Sequence, residues 1–240
     1  MAVLRPVVRH LTDPPLGEVL SALFAGTARR RDHDTLDAMV EQSKWVERTT
    51  ADPNHSHWYV ERFRSMAAAG DDLAGEARFI DAMAPRGARI LDAGCGPGRV
   101  GAVLADAGHT VVGVDVDPVL IQAAETDHPG PRWIVGDLAE LDLPAQGIDE
   151  GFDVIVCAGN VMAFLAASTR SEVIRRLGQH LRPEGRIAIG FGAGRGYEFA
   201  DFRNDVVAAG LEITVELCSW DLQPVSKDPD FLVAILTTAS

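Results

Sequence analysis

Leu91-Asp92-Ala93-Gly94-Cys95-Gly96-Pro97-Gly98-Arg99 is the stretch that decides the fold. The apolar residues 88 to 93 read as a strand, and the glycines that follow turn the chain directly into a helical pattern carrying Val100, Val103 and Leu104 on one face. A strand that passes through glycines into a helix opens a parallel α/β sheet, and the missing Cβ atoms let backbone approach a ligand closely. Two frames compete. Gly96-x-Gly98-x-x-Gly101, with Asp115 nineteen residues beyond Gly96, satisfies the dinucleotide fingerprint. That fingerprint expects its first glycine directly after the strand, however, which here is Gly94, and the frame from Gly94 puts Arg99 where the third glycine belongs. Pro97 also removes one N–H from a loop that would have to cradle a pyrophosphate, so a ligand without phosphate suits it better.

Outward from this loop, short apolar strands alternate with helical stretches, the pattern of a parallel sheet. Further strands fall at 110 to 115, 132 to 135, 152 to 157 and 186 to 191. Asp117 and Pro118 start a helix that buries Leu120, Ile121 and Ala124. Thr169 and Glu172 have capping-box spacing ahead of Val173, Ile174, Leu177 and Leu181, and Pro183 and Gly185 stop that helix. Phe199, Phe202, Val206 and Val207 mark a last helix, closed by Gly210. Two strands then follow without a helix between them, Leu211 to Leu217 and Phe231 to Leu236, which implies an antiparallel pair at the sheet edge and seven strands in all.

Residues 1–75 read as a helical extension or cap. Leu16, Val19, Leu20, Leu23 and Phe24 form an amphipathic stripe after Asp13-Pro14-Pro15, with Arg29-Arg30-Arg31 as cations near its end. Leu36, Met39 and Val40 suggest a second helix, and Tyr59, Phe63 and Met66 a third, separated by the polar stretch Thr49 to Ser56. Asp71 or Asp72 is placed to cap a fourth, with Leu73, Ala77, Ile80 and Ala84 on its inner face. His55-x-His57 lacks a third ligand motif and reads as surface or packing, so no metal is expected.

The 240 residues carry 22 Lys and Arg against 35 Asp and Glu, a formal charge of −13, which argues against a surface built to neutralise phosphates; no nucleic-acid partner is expected. Cys95, Cys157 and Cys218 are too few and too scattered for a disulfide framework or a metal clip. With no apolar run long enough to span a bilayer and no signal-peptide pattern at the start, the expectation is a cytoplasmic protein without membrane attachment.

Acids stand at the ends of three successive strands, Asp92, Asp115 and Asp137, in Val114-Asp115 and Trp133-Ile134-Val135-Gly136-Asp137-Leu138. A carboxylate at 115 can accept from two ribose hydroxyls, and one at 137 from an adenine amino group, with Val116 and Leu138 sandwiching the ring. An acid inside the loop, at 92, more often braces backbone N–H groups. With these residues the chain resembles the class I S-adenosylmethionine-dependent methyltransferases, and among them small bacterial enzymes of no assigned substrate, over roughly residues 76–240. The resemblance implies a seven-stranded Rossmann-like sheet in the order 3-2-1-4-5-7-6 and S-adenosylmethionine as cofactor. It puts the first motif on Asp92 to Gly98 with Gly94, Cys95 and Gly96, the ribose acid on Asp115 and the adenine acid on Asp137. The fourth motif falls on Phe152 to Cys157 and Ala158-Gly159-Asn160, beside the methionyl end. Leu181 to Arg186 resembles the approach to strand five, with Glu184 where glycine is more common.

Relatives with an Asn-Val-Leu-His type stretch carry a histidine where this chain has Ala163, so no catalytic base is assigned. Tyr59, in a segment that in such enzymes folds over the cofactor, and Asn160, Arg195 and Tyr197, in the loops after strands four and five, are the candidate substrate residues. The function expected is methyl transfer to a small-molecule acceptor. Alternatives are a protein or RNA methyltransferase, a protein that binds the cofactor without transferring methyl, and a nicotinamide dehydrogenase. The sequence leaves the acceptor and the oligomeric state open.

Overall fold

The computed structural model describes residues 40–239. The stripe from Leu16 to Phe24, the arginines 29–31, and Leu36 and Met39 lie outside the described residues.

Helices α1 (Lys44–Ala51), α2 (His55–Ala69) and α3 (Gly75–Met83) precede the sheet. The polar stretch Thr49 to Ser56 separates α1 from α2 but is shorter than expected: Thr49 to Ala51 form the end of α1 and His55 and Ser56 the start of α2. Ser43 starts it, its Oγ accepting from the Val46 N–H at 3.3 Å. Asp72 does not cap α3: its carboxylate accepts from the Ala74 N–H and pairs with Arg78, while Ala77, Ile80 and Ala84 are buried as the periodicity requires.

The sheet then alternates with helices as the sequence reading expects: β1 (Arg89–Ala93), α4 (Arg99–Asp106), β2 (Thr110–Asp115), α5 (Pro118–Asp127), β3 (Arg132–Val135), β4 (Phe152–Cys157), α6 (Val161–Phe164), α7 (Arg170–Gln179), β5 (Leu181–Gly192), α8 (Phe199–Ala208), β6 (Leu211–Leu217) and β7 (Phe231–Thr238). The strand order is β3-β2-β1-β4-β5-β7-β6. β1 to β5 are parallel, with Asp92 beside Gly113 of β2 and Val156 of β4, and β7 runs antiparallel to both β5 and β6.

Alternation along the strands builds a core on each face. Leu91, Ile155, Ile187 and Ile189 pack with Val173, Ile174 and Leu177 of α7 and Phe202 and Val206 of α8. Ile90, Val154, Val156 and Ala188 point the other way, onto Ile80 of α3 and Val100 and Leu104 of α4. Each such fully buried aliphatic side chain contributes about 1.5–3 kcal/mol relative to exposure.

Two further local expectations fail. α7 ends at Gln179, before Pro183, because the Phe152 N–H donates to the His180 carbonyl and Leu181 pairs with Phe152, drawing that residue into β5. Thr169 also closes no capping box: its hydroxyl donates to the Ala166 carbonyl, and Glu172 is taken by Arg175 and Arg176. A local Thr-to-carbonyl bond and two nearby guanidinium groups outcompete the reciprocal cap.

Candidate functional site

The strand order reverses beside β1, which has β2 on one side and β4 on the other, so the loops leaving their C-terminal ends diverge and open a crevice. A cleft of about 930 Å³, counting the solvent at its mouth, lies there.

Its floor is the glycine loop. Gly94 and Cys95 donate to the Val114 carbonyl at 2.8 and 3.0 Å, tying the loop to β2. Gly94 has φ +78°, and a Cβ on it would lie 2.3 Å from Val161 Cγ2, so both backbone and packing demand glycine. The dinucleotide frame through Gly101 has a structural explanation: the Gly101 N–H donates to Asp92 Oδ2 at 2.9 Å, and a Cβ there would meet Trp133 at 2.8 Å. Asp92 is therefore a brace for α4, as its position inside the loop suggests.

The acids line the rim. Asp115 Oδ2 accepts from the Gly96 N–H at 2.8 Å and Oδ1 from the Asp117 N–H at 2.9 Å. An ionised carboxylate offers about two lone-pair positions per oxygen, so each oxygen of Asp115 retains one. Asp137 Oδ1 accepts from the Ala139 N–H at 2.8 Å, leaving its other oxygen for a ligand. Burial pushes Asp115 up to about 6, against the lowering effect of the N–H groups of Asp117 and Gly96. Burial likewise pushes Asp92 up to about 7, opposed by the Gly101 N–H and Arg99. Cys95 is buried and its thiol is raised well above the usual range, first by desolvation and then by the two carboxylates, which makes it a space-filling residue.

The roof comes from the N-terminal helices. Trp45 of α1 and Tyr59 and Phe63 of α2 line the cleft, with Phe164 of α6 beside Trp45. Trp45 meets Tyr59 edge-on at 5.1 Å between centroids and Phe164 at 5.6 Å, and Tyr59 meets Phe63 at 5.0 Å. Tyr59 Cε1 would be 3.8 Å from a Cβ on Gly96, which spans the gap between roof and floor. Burial raises the Tyr59 hydroxyl above its ordinary range, in part offset by Arg99, so it stays protonated at neutral pH. Arg99 also lines the cleft; its guanidinium is held by both Glu76 oxygens at 2.6 and 2.8 Å and lies 5.6 Å from the Phe63 ring centroid.

Asp92, Gly94, Cys95, Gly96, Asp115 and Val116 all reach this cleft, as do Asp137, Leu138 and Ala158 and, from the cap, Tyr59. The other substrate candidates do not. Asn160, with φ +65°, accepts from the Gly192 N–H at 2.8 Å and joins the loops after β4 and β5. Arg195 is exposed on the second of these loops. Tyr197 is buried, donates to Asp205 at 2.6 Å and carries the Arg170 guanidinium 4.2 Å from its ring centroid, so it belongs to the packing under α8. Ala163 is buried within α6. Trp45 and Phe164 were not anticipated. Trp45 lies in a stretch poor in apolar residues, where a lone tryptophan on a short helix gives little periodicity to read. His55 stacks on the exposed Trp58 and contacts Trp45, and among the described residues no group of His, Cys, Asp or Glu is arranged to hold a metal.

A sheet of this order, with one antiparallel strand, a glycine turn after β1 and carboxylates along the rim beyond it, defines a Rossmann-like domain of the methyltransferase type. Residues 90–185 match the methyltransferase domain family. A TehB-like S-adenosylmethionine-dependent methyltransferase from Corynebacterium glutamicum is 50% identical, aligns with 78% of this chain and 100% of its own, and superposes with a TM-score of 0.73. The chain belongs to the class I S-adenosylmethionine-dependent methyltransferase family.

An uncharacterized methyltransferase of Mycobacterium tuberculosis is 34% identical over 114 residues, 46% of this chain and 54% of that protein. The magnesium-protoporphyrin O-methyltransferase of Rhodobacter capsulatus is 32% identical over 143 residues, 56% of this chain and 58% of that protein. The chain thus spans about half the length of the curated relatives it matches. Among the described residues, no helix is long and apolar enough to cross a membrane.

Proposed function

We infer that the protein transfers a methyl group from S-adenosylmethionine to a small-molecule acceptor, with residues 76–240 as the catalytic domain and the preceding helices as its cap. The observation that carries this reading is the single cleft that Asp92, Asp115, Asp137 and the glycine loop line from below and Trp45 and Tyr59 line from above.

The residues fit the cofactor. Asp115 has one acceptor position left on each oxygen for a pair of ribose hydroxyls, and Asp137 has a free oxygen for the adenine amino group, with Val116 and Leu138 supplying apolar walls. Gly94 to Pro97 line the cleft beside Ala158, where the methionyl part would lie. S-adenosylmethionine supplies an electrophilic methyl on a positively charged sulfur. The chain's part is to align donor and acceptor and exclude water, which suffices for much of the acceleration of an in-line displacement. The rings of Trp45, Tyr59 and Phe164 pack beside Val116 and give the cleft a largely apolar wall that would exclude water from it. A roofed cleft favours a small acceptor over a folded macromolecule, and the charge of −13 weighs against RNA.

Isothermal titration with S-adenosylhomocysteine tests the cofactor site, and absence of binding would overturn the reading. Incubation of the protein with labelled S-adenosylmethionine and a metabolite extract tests the transfer, with the product identified by mass. Binding without any labelled product would make the chain a cofactor-binding protein instead of an enzyme.

A further inference from the structure

Asp117 does more than cap α5. Its Oδ1 accepts from the Val119 N–H at 2.8 Å, which is the cap, and its own N–H donates to Asp115 Oδ1 at 2.9 Å. Its other oxygen, Oδ2, takes two donors from the N-terminal helices: Trp45 Nε1 at 2.8 Å and Ser56 Oγ at 2.5 Å. All three side chains are buried, with Asp117 5% exposed. Capping needs one acceptor oxygen, and serine or threonine would provide it; the second oxygen and its paired donors are unexplained by that role.

Other polar ties from α1 and α2 to the body are weaker. Arg64 pairs with Asp127 at the surface, where ion pairs contribute little, and Lys44 reaches the Ala163 and Arg195 carbonyls at 3.4 and 3.5 Å. Bonds from Trp45 and Ser56 to one carboxyl oxygen in a buried site are costly to break, because breaking them leaves that oxygen without partners.

We propose that Asp117 is a latch, a positioning residue that holds the cap helices closed over the cleft and ties their closure to the ribose acid two residues earlier. The proposal rests on the reading of the cleft as the S-adenosylmethionine site. Closing α1 and α2 brings Trp45 and Tyr59 over the ligand while the same Asp117 fixes Asp115 from below, so a ligand gripped by Asp115 leaves only when the bonds of Trp45 and Ser56 to Asp117 have opened.

The variants Trp45→Phe and Ser56→Ala, alone and combined, remove the donors and leave Asp117, its bond to Val119 and its bond to Asp115 in place. Amide hydrogen exchange of the ligand-free protein should speed up about tenfold or more over residues 44–69 in the double variant, with β1, β2 and β4 unchanged. Dissociation of S-adenosylhomocysteine, followed by stopped-flow displacement, should accelerate about tenfold or more while association stays within about twofold. Exchange that is unchanged, or faster throughout the chain, overturns the latch. A loosened cap with unaltered dissociation overturns its coupling to the ligand. Failure of the wild-type protein to bind S-adenosylhomocysteine overturns the cofactor reading itself, and the ligand-free exchange still decides the latch. Ser56→Ala alone, which deletes a single hydroxyl, keeps both measurements available should the double variant not fold.

Discussion

The Gly96 N–H donates to Asp115 Oδ2 at 2.8 Å, joining the glycine loop to the end of β2 across nineteen positions of sequence. The bond fixes one oxygen of the carboxylate, and the Asp117 N–H fixes the other. A side chain held on both oxygens presents its remaining acceptor positions in a set direction, so under the proposed reading little entropy would be lost on binding ribose hydroxyls. Asp115→Ala should therefore weaken S-adenosylhomocysteine binding roughly 10- to 100-fold, as expected for losing hydrogen bonds to a charged group. Titration calorimetry gives the value directly. Asp137→Ala, which removes one proposed bond, should cost less.

The buried acids set a pH dependence. Asp92 and Asp115, at about 7 and about 6, hold protons in the ligand-free fold that the unfolded chain has already released above the ordinary carboxylate value of 3.8. Stability of the ligand-free protein should fall as pH rises from about 4 to about 7, by up to about 1.4 kcal/mol per pH unit for each group. Asp72 and Glu172, held down at about 2 by their arginines, act in the opposite sense but below this window. Asp92→Asn should flatten the profile between pH 4 and 7, as read by chemical denaturation at each pH. A profile in the variant identical to that of the wild type would contradict the assignment.

Asp115 has a second consequence for ligand binding. In the proposed cofactor site its ionised form would accept from both ribose hydroxyls, whereas protonation converts one acceptor position into a donor. Affinity for S-adenosylhomocysteine should decline as pH drops below about 6, and Asp115→Asn should lose that pH dependence along with part of the affinity. Calorimetric titrations at pH 5 and pH 7.5 separate the two cases.

The floor and rim of the cleft were legible because they depend on local grammar. A strand ending in Ala93, a left-handed glycine at 94 and an acid at the close of β2 must fall together once a parallel sheet is inferred. The roof was less legible. Trp45 reaches Asp117 across 72 positions, and nothing in the composition of α1 announces that its one large apolar residue is buried. Arg195 and Tyr197 lie on the loop the sequence points to, but a loop's position does not say which side chains turn inward: Tyr197 has an aromatic and carboxylate environment of its own. The early start of β5 was hidden because Pro183 and Gly185 look like punctuation after a helix, while tertiary pairing with Phe152 overrides that signal.

Glu184 lies within β5 and adopts φ +64°, a conformation that costs a side-chain-bearing residue roughly 1–2 kcal/mol. It is exposed, and its carboxylate makes none of the hydrogen bonds found among the described residues. Glu184→Gly should raise the melting temperature by roughly 2–4 °C for each kcal/mol of relieved strain in a domain of this size, without altering S-adenosylhomocysteine affinity. Glu184→Val, which adds β-branching at a left-handed position, should move it the other way. Differential scanning calorimetry distinguishes the three proteins.

Gly94 is the most constrained position of the floor, because two independent causes exclude a side chain there. Its φ of +78° strains any L-residue, and the missing Cβ would overlap both methyls of Val161, at 2.3 and 2.8 Å. Relief of the overlap without relief of the strain should give an intermediate result. Gly94→Ala should destabilise the fold by about 2–4 kcal/mol, through a strained backbone and an overpacked contact, and weaken S-adenosylhomocysteine binding by displacing the loop. Adding Val161→Ala should recover the overpacking part and leave the backbone part. Full recovery in the double variant would mean that Val161 alone enforces glycine here, and no recovery would mean that the backbone conformation does; the geometry requires a value between the two, measurable by urea denaturation of the three variants.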